Sequence, residues 1–99
     1  MEFLLTIEVK LPPDTPEDRR QQLLAAEERR GRELIELGKL VRIWRLPGRL
    51  ANVSLYRCTD ATELHDLLSS LPLFPWFDVT VQALAQHPLD RPWPGRDAA

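Results

Sequence analysis

PEDRRQQLLAAEERRGRELIEL, residues 16–37, is the stretch around which the rest of the chain is organised. It predicts one long helix, because apolar or small residues recur at offsets of three, four, seven and eight along it. The residues of this stripe are Leu23, Leu24, Gly31, Leu34, Ile35 and Gly38. Most of the charged residues lie off the stripe, where water can solvate them. The pattern indicates a surface helix with one side packed on a core.

Glu27 falls in the middle of this apolar stripe. A carboxylate directed at a core is costly to desolvate unless it is paired or its pKa is raised. Gly31, one turn later, leaves room beside it. Two interpretations stay open on the pattern alone. Glu27 is either a functional carboxylate, or an edge residue of the stripe that pairs with an arginine, as most helical glutamates are solvated.

The composition of the 99-residue chain bounds its class. The length suits one domain, and a formal net charge of −2 gives no electrostatic reason to bind nucleic acid. No apolar run is long enough to span a membrane, and residues 1–9 do not form a secretory signal. One cysteine, Cys58, excludes an internal disulfide, and no Cys/His cluster has zinc spacing. We expect a cytoplasmic protein without a metal site.

The remaining segments predict a β-α-β-β-α-β order, which is typical of an α+β, ferredoxin-like fold with a four-stranded antiparallel sheet and two helices on one face. Asp14 or Thr15 is placed to cap the first helix, with Pro16 at its first position, and Asp60 or Thr62 to cap the second. Gly38 is expected to end the first helix. The predicted strands are 1–10, 40–46, 50–57 and 77–84, and the second helix is 61–70.

The third predicted strand has a polar side and an apolar side. Asn52, Ser54 and Tyr56 alternate with three apolar residues. Such a polar side is typical of a solvated surface or of a polar-lined pocket. The predicted sheet also leaves one face open, and residues 71–76 form a dense apolar loop. Together with Trp93 in a Pro-rich tail, residues 89–99, these features predict association with other chains. The folded domain is predicted to span residues 1–88.

A block of motifs then resembles the muconolactone Δ-isomerase family of aromatic catabolism. ELHDLLSSLPLFP, residues 63–75, is similar to the family's ELHxLLxxLPLFP block almost residue for residue. Shorter matches surround it in the same order: VKLP at 9–12, IWR with a following glycine at 43–48, ANVS at 51–54 and AQHP at 85–88. A long block with several satellites is far more specific than one short motif.

The resemblance implies a ferredoxin-like protein of the dimeric α+β barrel type that assembles into a decamer and needs no metal or organic cofactor. Its reaction moves a proton along an allylic lactone, converting muconolactone into 3-oxoadipate enol-lactone. The family's proposed base, a glutamate of the first helix, falls on Glu27. Ser54 and Asn52 are then candidate donors to the developing oxyanion, and Arg45 is a candidate cation for the substrate carboxylate.

Trp44 is a candidate apolar wall of the site and His65 a candidate contact at its flank. Each of these residues also has a structural interpretation. Asn52 and Ser54 would simply face outward from a strand, and Arg45 would form an interface ion pair. Trp44 and His65 would contribute packing alone.

The sequence also departs from the family pattern. Leu24 stands where the family usually has a lysine, one turn before the base, and Glu28 follows the base where lysine is frequent. Aromatic positions are replaced as well, by Leu40, Leu50 and Val53. Two rivals to muconolactone isomerisation therefore stay open. One is a related lactone or enone isomerase, or a dehalogenase of chlorinated muconolactones, on the same scaffold; the other is a non-catalytic ferredoxin-like binding protein.

Overall fold

A computed structural model describes residues 1–91 and shows the predicted α+β order. The elements are β1 (Glu2–Val9), α1 (Glu17–Glu36), β2 (Leu40–Arg45), β3 (Ala51–Arg57), α2 (Ala61–Ser69) and β4 (Phe77–Leu84). The four strands form one antiparallel sheet in the order β2-β3-β1-β4. The ferredoxin-like prediction is confirmed. Most of the predicted tail, including Trp93, lies outside the described residues.

Both helices pack on the same face of the sheet. Phe3, Leu5 and Ile7 of β1 are buried there in one cluster with Leu34 of α1 and Leu64 of α2. Because side chains alternate between the two faces of a strand, these three β1 residues point to the helices while Leu4 and Thr6 point away. The opposite face carries no helix among residues 1–91, so it is the open face of the molecule.

The two ends of α1 differ in how well the sequence predicts them. The helix ends as expected, since Gly38 adopts a left-handed φ of 74° and the N–H of Lys39 bonds back to the carbonyl of Leu34 at 3.0 Å. The predicted N-terminal cap is wrong. Pro16 itself is the capping position, and the Thr15 hydroxyl donates to the Pro12 carbonyl at 2.7 Å instead. The preceding turn competes successfully for that side chain.

The start of α2 is capped as one of the two predicted alternatives. The carboxylate of Asp60 accepts a hydrogen bond from the backbone N–H of Glu63 at 2.8 Å. This satisfies one of the free N–H groups of the first turn. The helix leads directly into the apolar loop that reaches the site described below.

A β-bulge interrupts β2. Leu40 pairs with Tyr56, but the register shifts between Leu40 and Arg42, after which Ile43 pairs with Ser54. Directly opposed residues of antiparallel strands share a face. The bulge therefore places Leu40 and Ile43 on the same face, although simple alternation predicts opposite faces.

Candidate active site

Glu27 lies on the inward side of α1, as its place in the stripe predicts. Leu23, one turn earlier, and Leu34, two turns later, are buried on the same side of the helix. The carboxylate is half-buried, and its Oε1 accepts a hydrogen bond from the backbone N–H of Leu73 at 2.9 Å. No ion pair holds this carboxylate in residues 1–91. Within this part of the chain, the interpretation in which Glu27 pairs with an arginine is wrong.

The loop that provides this N–H is rigidly built. Leu73 is 2% exposed. Its carbonyl accepts from the N–H of Trp76 at 2.9 Å, and the N–H of Phe74 bonds to Leu71 at 3.0 Å. These bonds form a short 3-10 turn, which Pro75 favours by fixing its own φ. The apolar loop thus positions a backbone donor against one oxygen of Glu27.

Burial raises the pKa of Glu27 above its ordinary value of 4.5, and the hydrogen bond from Leu73 opposes part of this rise. Desolvation destabilises the charged form more than one neutral N–H stabilises it. A carboxylate with a raised pKa is a stronger base than a solvated one, and general-base chemistry near neutral pH needs such a group. Glu27 therefore has the electrostatic environment of a candidate general base.

The raised pKa predicts a pH-dependent stability change for Glu27→Gln. Above pH 4.5 the folded wild type holds a proton that the unfolded chain releases, so its free energy of unfolding falls as pH rises through the folded pKa. Gln keeps the acceptor for Leu73 but has no such loss. We expect the variant to gain stability relative to wild type between pH 4 and pH 7, measured by urea unfolding at one protein concentration. A difference that does not change with pH would contradict this prediction.

The sheet presents polar atoms on the helix-facing side. Asn52, Ser54 and Tyr56 lie on that side of β3, paired with Ile7, Leu5 and Phe3 of β1. Asn52 Oδ1 and Ser54 Oγ are fully enclosed and have no hydrogen-bond partner in the described part of the chain. Ser54 is only 1% exposed, so it is not an outward-facing residue of a solvated strand. Unpartnered buried oxygens are costly and mark a place where a ligand can supply the missing partner.

Arg45 joins this face, whereas Trp44 and His65 do not. Arg45 is exposed and pairs with Asn52 across the strands. Trp44 pairs with Val53 on the open face, and the guanidinium of Arg42 lies 5.1 Å from its ring centroid. His65 is exposed on α2, its ring 6.0 Å from that of Phe74 in an edge-to-face contact. The predicted substrate contacts of Trp44 and His65 stay predictions.

Three neighbours of Glu27 were not among the predicted site residues. The first is the backbone donor of Leu73, which no side-chain pattern reveals. The second is Tyr56, whose place in the alternation with Asn52 and Ser54 is the signal that could have found it. The third is Arg30, which lies one turn after Glu27 and donates from Nε to Ser70 Oγ at 3.0 Å. The charge of Glu27 raises the pKa of the Tyr56 hydroxyl and that of Arg30 lowers it, so both charges act on this group.

Other site types find little support in residues 1–91. No group of three or more His, Cys, Asp or Glu side chains is placed to hold a metal ion there. None of the helices in this part of the chain is long and apolar enough to cross a membrane. A shallow cleft of about 230 Å³ lies away from Glu27, between the end of α1 and β2, and is lined by Ile35, Leu40, Val41, Arg42 and Ile43.

The fold and this carboxylate define a small ferredoxin-like protein whose interior holds one candidate general base. Residues 1–90 match the family described as muconolactone delta-isomerase. The muconolactone delta-isomerase 2 of Acinetobacter lwoffii is 39% identical over 87 residues, which are 88% of this chain and 91% of that protein. The muconolactone delta-isomerase of Acinetobacter baylyi is 36% identical over 88 residues, covering 89% and 92%.

The crystal structure of a muconolactone isomerase superposes with a TM-score of 0.86 at 37% identity, covering 91% of this chain and 94% of that one. The match thus extends from sequence to backbone geometry over nearly the whole described chain. The chain belongs to the muconolactone delta-isomerase family, a family of isomerases.

Proposed function

We propose that this protein isomerises muconolactone to 3-oxoadipate enol-lactone, with Glu27 moving the proton. The observation that carries the proposal is the half-buried Glu27 carboxylate, held by the Leu73 N–H and with its pKa raised by burial. The relatives that match over most of the chain are named for this activity. A single base of this kind is the group that the reaction requires.

The chemistry is a redox-neutral proton shift, so it needs no electron carrier. Glu27 removes the proton from the ring carbon that bears the carboxymethyl arm. The C–H electron pair moves into the ring, and the charge of the resulting dienolate develops on the lactone carbonyl oxygen. Glu27 then returns the proton to the carbon beside the carbonyl. One carboxyl group can perform both transfers because it can reach both carbons from the same face of the ring.

Side chains of β2 and β3 supply the two other groups that the reaction needs, a donor to the oxyanion and a cation for the substrate carboxylate. Ser54, and Asn52 through its amide N–H, can donate to the developing oxyanion, and both lie on the helix-facing side of β3. Arg45 pairs with Asn52 and is exposed, so its guanidinium is available for a bidentate contact with the substrate carboxylate. These roles are part of the proposal.

The direct experiment follows muconolactone by proton NMR in deuterated buffer with purified protein. Conversion to the enol-lactone with deuterium entering beside the carbonyl supports the proposed reaction. Deuterium exchange without conversion would reject muconolactone as the substrate while leaving a working base. The absence of both exchange and conversion would reject the activity.

Leu24 favours a second candidate, a related but less charged lactone or enone. Dehalogenation of a chlorinated muconolactone, which keeps the carboxylate, is the further rival on the same scaffold. Leu24 is half-buried on the inward side of α1, one turn before Glu27. An apolar side chain at that place lowers the affinity for an anionic group beside the base. The same NMR assay with an uncharged butenolide distinguishes the candidates by their relative kcat/KM. A non-catalytic binding protein would exchange protons on neither substrate, and its Glu27→Gln variant would bind the ligand as tightly as wild type does.

The proposed enzyme is a homo-oligomer, with the decamer as the expected assembly and the cytoplasm as its expected location. The open sheet face supports association. Leu4, Val53 and Leu55 lie on it half-buried, and Trp44 is 39% exposed beside them. Such a face is expected to pack on another copy. Light scattering of the purified protein should give a mass of ten chains; a monomer at micromolar concentration would reject the assembly.

A further inference from the structure

Tyr56 is the only tyrosine of the chain, and its side chain is 2% exposed. It lies on the helix-facing side of β3, one alternation from Ser54. Its ring packs in the main core cluster with Leu34 of α1. The residue therefore extends from the sheet toward the helix that carries Glu27.

The hydroxyl of Tyr56 has no hydrogen-bond partner in the described part of the chain. Buried tyrosine hydroxyls usually find one. The fully enclosed side-chain oxygens that lack a partner are Asn52 Oδ1 and Ser54 Oγ, so the Tyr56 hydroxyl itself is not fully enclosed. It keeps a small accessible surface and an unused donor.

The charges around this hydroxyl keep it protonated. Burial raises the pKa of Tyr56 most, the negative charge of Glu27 raises it further, and Arg30 opposes them. A neutral phenol is a hydrogen-bond donor, whereas a phenolate is not. Glu27 acts on the hydroxyl without bonding to it. A base on the inward side of α1 and an unpartnered donor on the helix-facing side of β3 therefore face the same layer of the molecule.

We propose that Tyr56 is a further catalytic residue, whose hydroxyl donates a hydrogen bond to the lactone carbonyl oxygen as the dienolate forms across from Glu27. This inference rests on the proposed function. No net proton passes to or from Tyr56: Glu27 holds the transferred proton, and the phenol stabilises the oxygen that carries the charge. A carboxylate base opposite a phenol donor is a workable arrangement for proton transfer beside a carbonyl.

The tyrosine suits this role better than Ser54. A phenol extends much farther from the backbone than a serine hydroxyl, so it reaches closer to α1. Ser54 Oγ lies at the floor of the sheet and is fully enclosed. The Tyr56 hydroxyl keeps some accessible surface, so it is the better placed of the two donors to meet a carbonyl oxygen held on the Glu27 side.

The first test is Tyr56→Phe, which removes the oxygen and keeps the ring in the core. We expect kcat for muconolactone to fall on the order of 10²-fold with KM changed about threefold or less, as for loss of one oxyanion donor. The thermal unfolding midpoint should stay close to that of wild type, because the hydroxyl has no protein partner to lose. If wild type turns over muconolactone and Tyr56→Phe has the same kcat, the role of Tyr56 alone is overturned.

A second measurement does not depend on turnover. Tetronate, the stable enolate of a five-membered lactone, carries the charge that the hydroxyl is proposed to meet. With tyrosine labelled by carbon-13 at Cζ, the single resonance reports Tyr56. We expect it to shift when tetronate binds to wild type, and we expect Tyr56→Phe to bind tetronate about tenfold more weakly.

The two experiments separate the two proposals. Equal tetronate affinity in Tyr56→Phe, an unshifted resonance, or no binding to wild type would overturn the Tyr56 role. If wild type binds tetronate through Tyr56 but does not convert muconolactone, the proposed substrate is rejected and the donor role of Tyr56 is supported.

Discussion

Glu27→Gln is expected to lower kcat/KM for muconolactone by about 10²–10⁴-fold, the usual contribution of a positioned general base. The amide keeps the shape of the side chain and the acceptor for the Leu73 N–H, but it cannot take a proton from carbon. KM should change little, because we propose that the groups of β2 and β3 hold the substrate. Initial rates by proton NMR and deuterium exchange at the substrate carbons measure the effect.

The matched control is Glu36→Gln, which removes the same charge from the exposed last turn of α1. It should leave kcat/KM within about twofold, since screened surface charges contribute little. The pH profile of wild type provides a second check. Its acidic limb should lie above pH 4.5, because burial raises the pKa of Glu27, and the limb should disappear in Glu27→Gln. A variant as active as wild type would show that another group moves the proton.

The sequence predicts Glu27 well because helix periodicity is a local property. Leu23 and Leu34, which define the stripe around Glu27, are buried as expected. Ile35, another stripe residue, is 51% exposed. It follows the fully buried Leu34 directly, but its side chain lines the shallow cleft beside β2. Periodicity defines a broad stripe, but tertiary packing decides which residues of the stripe are covered.

The parts that sequence reasoning missed depend on contacts between distant segments. The bulge near Val41 changes which β2 residues share the face of Ser54, and strand alternation cannot reveal it. The donor to Glu27 is a backbone N–H 46 residues away, at Leu73, so no side-chain motif encodes it. Tyr56 stands on the polar side of β3 in the sequence, but the effect of the Glu27 charge on its hydroxyl depends on the folded structure.

Leu34→Ala is expected to cost about 2–5 kcal/mol of unfolding free energy, the range for deleting a fully buried leucine. Leu34 is 0% exposed and packs in the main core cluster with Leu5 of β1. This is a large part of the roughly 5–15 kcal/mol that stabilises a domain of this size. Leu37→Ala removes the same atoms three residues later, where the side chain is 61% exposed, and should cost less than about 0.5 kcal/mol. Urea unfolding at one protein concentration compares the two.

A comparison of Leu34→Ala with Glu27→Gln separates the placement of the helix from the chemistry of the carboxylate. Leu34 and Glu27 lie two turns apart on one side of α1, so both contribute to how the helix sits on the sheet. Leu34→Ala should lose stability yet keep most of kcat well below its unfolding temperature, because the base and its Leu73 donor remain. Glu27→Gln should lose kcat and be at least as stable as wild type at neutral pH. If Leu34→Ala lost activity as severely as Glu27→Gln while still folded, placement of the helix rather than the carboxylate would limit the reaction.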